Sequence, residues 1–288
     1  MRNAVVVVIV VPCLLAACAP PELCRPGVTP RIEPTPRSAQ SGFLHAAHAH
    51  NDYEHPRPLQ DALEQGFASV EVDLWFRDDG LQVSHDVVGT KGTLDDLYLQ
   101  PLEDRLANQR SVHGDGALFT LWLDLKDSTP ELRERLTTAL SARPWLRRYD
   151  NDGSDDDGPV RVIITGDATS RAALIDEVPT PRPFVRDARN LALDRSVDES
   201  DDDDDPAIQA VALPFADYVG RWDGVEPPTP ELSRQCGCVV ERAHALGREV
   251  RFFSGPDTEA AWQFQLDHGV DFINTDDLPG LAAFLRAR

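Results

Sequence analysis

The sequence predicts a parallel α/β fold, a closed (β/α)8 barrel. From about residue 43 to the end, apolar β-branched runs alternate with helical patterns. In addition, no Gly-rich phosphate loop follows any apolar run, which counts against an open doubly wound sheet, the runner-up architecture. Strands are expected at 43–48, 67–74, 81–85, 118–125, 160–166, 183–187, 208–214, 249–254 and 270–275. Helices are expected at 57–65, 94–107, 129–142, 168–176, 229–246, 257–268 and 277–287. Nine strands are one too many for the barrel. The second and third are joined only by "FRDDG", too short to cross over between parallel neighbours, so a hairpin-like excursion is expected there.

The segments before the barrel read differently. "MRNAVVVVIVVPCLLAACAPPELC" has Arg2, an apolar run and then Leu15-Ala16-Ala17-Cys18. The run is too short to span a bilayer but suits a signal peptide. Its end resembles the lipobox of bacterial lipoproteins, with Cys18 as the lipidated residue. Residues 1–18 are thus expected to be a leader and 19–42 a Pro-rich tether, followed by the barrel over 43–288. The expectation is an exported bacterial lipoprotein, held at the cell envelope membrane by its lipid and monomeric.

The net charge of −21 argues against a nucleic-acid partner, whose phosphates would be repelled. Much of that charge sits in two stretches, "DNDGSDDD" and "DRSVDESDDDDD", with thirteen acids against one Arg. They read as solvated loop insertions at about 150–158 and 194–206. An EF-hand is excluded at the first, because Gly153 comes too early. Cys236 and Cys238 lie two apart in one expected helix and do not face each other, and no zinc-type spacing exists. They read as structural, with Cys24 as a candidate disulfide partner.

The chemistry is expected at strand ends. Side chains alternate across a strand. In "SVEVDLW", Val70, Val72 and Leu74 share one face, and Glu71 and Asp73 the other. With the apolar face against the helices, both carboxylates point into the barrel. Two carboxylates in a poorly solvated interior repel each other unless a cation joins them, and hard oxygens suit Mg2+ or Ca2+. "TLWLDLKD" repeats the pattern, offering Asp124 as a third ligand and Lys126 as a fixed positive charge. A structural Asp–Lys pair fits that stretch equally well. "LQVSHDVV" ends in His85-Asp86, and "HAHNDYEHP" places His48, His50 and His55 near the end of the first strand. Two histidines beside a cation match phosphodiester cleavage, one taking a proton from the nucleophile and the other giving one to the leaving oxygen.

These blocks resemble the PLC-like phosphodiesterase superfamily of TIM barrels, which includes the glycerophosphodiester phosphodiesterases. The resemblance rests on "AHAHNDY", "SVEVDLWFRDDGLQVSHD", "LWLDLKD" and "GVDFINTDDLPGL" over roughly residues 43–288. With "RWDG" at 221–224, the chain is closest to a subgroup carrying an HNDY motif, which includes the fungal altered-inheritance-of-mitochondria proteins. The resemblance implies metal ligands Glu71, Asp73 and Asp124, and catalytic groups His48, His50, His85 and Lys126. It further implies substrate contacts at Asn51 and Trp222. His48 aligns best with the first catalytic histidine, and His50 could share the role. His55, before Pro56, reads as a loop residue. Ala49 and His50 stand where the glycerophosphodiester enzymes have Arg-Gly, so their glycerol-reading parts do not carry over. The implied activity is metal-dependent hydrolysis of glycerophosphodiesters or lipid head groups. The alternatives are a lyase forming a cyclic phosphate, or a silent envelope-binding protein that keeps the barrel.

Overall fold

A computed structural model describes residues 42–78, 80–191 and 205–288. The ring strands are β1 (Leu44–Ala49), β2 (Phe67–Arg77), β5 (Phe119–Leu125), β6 (Val160–Gly166), β7 (Val185–Ala188), β8 (Ile208–Pro214), β9 (Glu249–Phe253) and β10 (Ile273–Thr275). They pair in parallel in the order β10-β1-β2-β5-β6-β7-β8-β9. A parallel bridge between Arg251 and Phe272 closes the ring, with the Phe272 N–H donating to the Val250 carbonyl at 3.1 Å. The barrel expected from the strand-helix rhythm is therefore present.

The surplus strand is the expected hairpin. β3 (Gly80–Val83) runs antiparallel to β2, and β4 (Gly92–Thr93) pairs with β3 outside the ring. The outer layer contains α1 (Gln60–Glu64), α2 (Gln100–Leu106), α3 (Pro130–Ser141), α4 (Ala168–Glu177), α5 (Phe215–Tyr218), α6 (Pro230–Ala245), α7 (Glu259–Asp267) and α8 (Leu278–Arg286). The α3 and α6 helices start with one local signal, Thr-Pro-Glu-Leu. The Thr129 and Thr229 hydroxyls accept from the Leu132 and Leu232 N–H groups, proline pre-sets the first turn, and the acid faces the helix dipole.

Strand alternation divides the core in two. Val70, Val72, Leu74, Leu121, Leu123, Val162 and Ile164 join Leu132, Leu136 and Leu140 in the layer between strands and helices. Each such buried side chain contributes about 1.5–3 kcal/mol. Inside the ring, Trp122, Ile163, Val185, Ala210, Ala212 and Phe272 form a second, smaller cluster. It plugs the barrel floor, so polar side chains two residues further along the same strands, such as Asp124, Thr165 and Asp187, sit above it, near the mouth.

On α6, Cys238 is disulfide-bonded and Cys236 is a buried free thiol. Cys24, Cys18, the leader and nearly all of the expected tether lie outside the described residues, as does most of the second acidic stretch. The first is an exposed turn tied to its own backbone, with the Asp150 N–H donating to the Ser154 carbonyl at 2.9 Å.

Candidate active site

Register brings the three acids together. Asp73 on β2 pairs directly with Asp124 on β5, and Glu71 lies two residues below Asp73 on the same inward face. Glu71, Asp73 and Asp124 each offer an oxygen within 4.8 Å of the others. Gly166 makes room for the third acid: a Cβ there would lie 2.2 Å from Asp124 Oδ1, and its φ of +88° suits glycine. Lys126 Nζ sits 3.0 Å from Asp73 Oδ2 and 3.2 Å from Asp124 Oδ2. Burial raises both aspartates, Asp73 to about 6, and Lys126 only partly offsets it.

Arg251 on β9 was not anticipated from the sequence. It is buried inside the barrel, donates from Nη2 to Glu71 Oε1 at 2.6 Å, and stacks 4.7 Å from the centre of the Trp122 ring. Burial pushes the Glu71 carboxyl up, but Arg251 and then His48 outweigh it and hold it well below the usual range. Glu71 Oε2 and Asp73 Oδ1 are buried and accept no hydrogen bond. Unsatisfied buried oxygens on two of three clustered carboxylates are a donor set that fits a hard divalent cation.

The two histidines of β1 sit at different depths. His48 is fully buried, with Nδ1 2.8 Å from Ser69 Oγ and Nε2 receiving Arg251 Nη1 at 2.9 Å. These partners assign the proton to Nδ1 and leave no nitrogen facing the mouth. Burial and Arg251 push its pKa down to about 3. The structure places the His48 ring beneath the acids, its Nε2 3.9 Å from Glu71 Oε2, and held by two partners. A histidine neutral when folded but free to charge when unfolded costs stability in acid. Stability should therefore fall as pH drops from about 6.5 toward 3, by about 1.4 kcal/mol per unit for this group. His48→Gln should flatten that part of the pH profile in urea unfolding, and an unchanged slope would refute the assignment.

His50, one step past the strand, is a third exposed. Its Nδ1 lies 2.8 Å from Asp276 Oδ1, just past β10, and its Nε2 lies 3.8 Å from Glu71 Oε2. His50 thus stands as close to Glu71 Oε2 as His48 does, but on the solvent side of it. His85 stands on the rim with its side chain 62% exposed, 3.3 Å from Asp86 Oδ1. The preceding Ser84 N–H reaches the Asp73 carbonyl at 3.3 Å, which ties that loop to the level of the acids.

The rest of the HNDY stretch supports the mouth from behind. Asn51 adopts a left-handed conformation, and its Oδ1 accepts from the Tyr53 hydroxyl at 3.1 Å. Burial, and then Asp73, raise the Tyr53 hydroxyl pKa. Asp52 is buried and accepts from the Leu59 N–H at 2.5 Å and the Tyr98 hydroxyl at 2.8 Å, fixing the β1–α1 loop. His55 is a loop residue, as expected. Trp222 lies on the opposite rim, its ring against Phe264 and its Nε1 donating to the Glu226 carbonyl at 2.7 Å. Its polar edge is thus used within its own loop.

Comparison with known proteins agrees with this architecture. Residues 42–115 match the AIM6-like phosphodiesterase domain. Altered inheritance of mitochondria protein 6 of Eremothecium gossypii is 29% identical over 276 residues, covering 84% of this chain and 69% of that protein. The protein of the same name from Lachancea thermotolerans is 27% identical over 271 residues, covering 80% and 63%. The chain thus spans about two thirds of the length of these relatives. Two solved structures share the fold, the glycerophosphodiester phosphodiesterases of Agrobacterium tumefaciens and Parabacteroides distasonis. Their TM-scores are 0.52 and 0.53 at 17% and 16% identity, covering 85% and 84% of this chain and 100% and 97% of theirs. The resemblance read from the motifs is borne out. The localisation reading is not: these relatives are fungal proteins named for mitochondrial inheritance, which overturns an exported bacterial lipoprotein anchored through Cys18.

Proposed function

We propose that this chain, whose first barrel strands match the AIM6-like phosphodiesterase domain, is a metal-dependent phosphodiester hydrolase acting at the mouth formed by β1, β2 and β5. The observation that carries the reading is the charge of the acid cluster. Among the described residues, three carboxylates, Glu71, Asp73 and Asp124, are in ion-pair contact with two cations, Lys126 and Arg251, so these contacts leave the cluster one charge short of neutral. A divalent ion reverses that sign and suits the single negative charge of a phosphodiester. When bound, the ion would polarise the phosphoryl oxygens and spread the charge that develops on them.

The chain's own residues then divide the work. Glu71, Asp73 and Asp124 hold the ion. Lys126 keeps Asp73 and Asp124 pointed together. Arg251 occupies one oxygen of Glu71, leaving the other for the ion. Asp276 holds the proton of His50 on Nδ1, so that Nε2 faces the mouth and accepts a proton from the nucleophile. His85, exposed on the rim in the loop after β3, returns a proton to the leaving oxygen. The nucleophile is water for hydrolysis, or a neighbouring hydroxyl of the substrate where a cyclic phosphate forms. Glycerophosphodiesters and lipid head groups are the substrate class.

His50→Ala should keep the rise of melting temperature with Mg2+ but lower turnover by about 10²–10⁴-fold. Thermal melts and turnover of a glycerophosphodiester, both with added Mg2+, check this. Retained activity in His50→Ala alongside loss in a folded His48→Gln would return the role to His48.

A further inference from the structure

We propose that Arg189 forms an anion subsite across the barrel mouth from His50, so that the substrate carries a second negative group beyond the scissile phosphodiester. The inference rests on the phosphodiesterase reading of the same mouth and narrows its substrate class.

Arg189 directly follows β7, and β7 lies four strands around the eight-strand ring from β1. His50 and Arg189 therefore stand on opposite sides, with the acid cluster between His50 and the far wall. The Arg189 side chain is half-buried and leans inward. Its Nη1 donates to Thr165 Oγ1 on β6 at 3.2 Å, and its guanidinium carbon lies 4.5 Å from the centre of the Phe253 ring on β9. Just beyond it the Leu191 N–H donates to the Tyr218 hydroxyl at 3.1 Å, which holds the segment in place.

The carboxylate nearest in sequence is already engaged. Asp187 receives Arg171 Nη1 at 2.9 Å and the Thr165 hydroxyl at 2.7 Å. Among the described residues, no carboxylate comes within ion-pair distance of Arg189. Aromatic stacking covers a guanidinium face and leaves its edges open, and among the described residues four of its five N–H donors have no hydrogen-bond partner. A planar donor edge of this kind suits a carboxylate or a phosphomonoester. The charge count agrees. The acid cluster with a divalent ion matches one diester charge, and Arg189, whose charge also acts on Asp124 and Asp187 without pairing with either, adds a positive charge for a second anion. A choline or ethanolamine group reaching the same wall would be repelled.

The test uses the full chain with Mg2+ and four related diesters. These are glycerophosphoglycerol, its terminally phosphorylated form, the corresponding glycerate ester, and glycerophosphocholine. The wild type should have a higher kcat/KM for an anionic form than for glycerophosphoglycerol, and the lowest for the choline ester. In Arg189→Met that anionic preference should shrink by about ten- to a hundredfold, the range of a charge-assisted hydrogen bond. Arg189→Lys, which keeps the charge, should recover part of it. A loss confined to the phosphorylated form identifies a phosphomonoester, and one confined to the glycerate ester a carboxylate. An unchanged preference in Arg189→Met, or a wild-type preference for the neutral or cationic ester, overturns the proposal. If the wild type cleaves none of the four, the phosphodiesterase reading fails instead. Calorimetry with glycerol 3-phosphate and glycerate, in chelator, then decides the subsite by itself: equal binding to wild type and Arg189→Met would reject it.

Discussion

Asp73→Asn should abolish the response of the protein to divalent ions. In the wild type, an ion at a hundred times its dissociation constant adds about 2.7 kcal/mol of stability. For a barrel of this size, that is about 5–10 °C of melting temperature. The amide removes one of three charges and one unsatisfied buried oxygen, Oδ1, from the cluster. Turnover should fall by about three orders of magnitude, because several kcal/mol of charge stabilisation leave with the ion. The pH dependence has a definite sign. Burial raises Asp73 to about 6, above its unfolded value of 3.8, so the ion-free fold is favoured by the proton. That contribution is complete below about pH 4 and is lost as pH rises through about 6. Stabilisation by Mg2+ should grow over the same window as the ion displaces the proton. Melting curves with Mg2+ and with chelator at pH 5 and pH 7.5 check both statements. Identical curves would rule out a metal at these acids.

Arg251→Met is expected to be the most destabilising single change near the site. Arg251 is 2% exposed and bonds Glu71, which is 3% exposed. Removing one member of such a pair leaves a buried charge unmet and costs about 3–5 kcal/mol. It also strips the Nε2 partner from His48 and the stacked cation from Trp122. Replacing both charges, as Glu71→Gln with Arg251→Met, should recover part of the loss. Urea unfolding of the single and double variants measures the difference. Equal midpoints for wild type and Arg251→Met would show that the pair contributes nothing to the fold.

The barrel was legible because each ring strand carries an apolar face for the helices, and because "FRDDG" is too short for a crossover. The acid cluster was legible for the same reason, since Glu71 and Asp73 alternate with Val70, Val72 and Leu74. Depth was not legible. His48 and His50 have the same parity and both point inward, and only the height of the aromatic floor separates a buried histidine from one at the mouth. Arg251 could have been found. In "EVRFF" Val250 and Phe252 face the helices, so the parity that placed Glu71 inside also places Arg251 there. A charge in a barrel interior is unexpected without its partner in view, and Glu71 is 180 positions away. Arg189 and Asp276 each lie one residue past short strands, β7 and β10, which leave little pattern to extend.

The contact between His50 and Asp276 spans 226 positions and crosses the seam where β10 meets β1. During synthesis Glu71, Asp73, Asp124 and His50 emerge within the first half of the chain, whereas the carboxylate of Asp276, bonded to the His50 imidazole, directly follows the last strand. A chain stalled before β10 would therefore hold its acids without a correctly oriented base, and the ring could not close. Competence for chemistry is thereby tied to completion of the barrel. On the proposed function, no half-made chain would be active, and removal of β10 and α8 would abolish turnover without touching Glu71, Asp73 or Asp124.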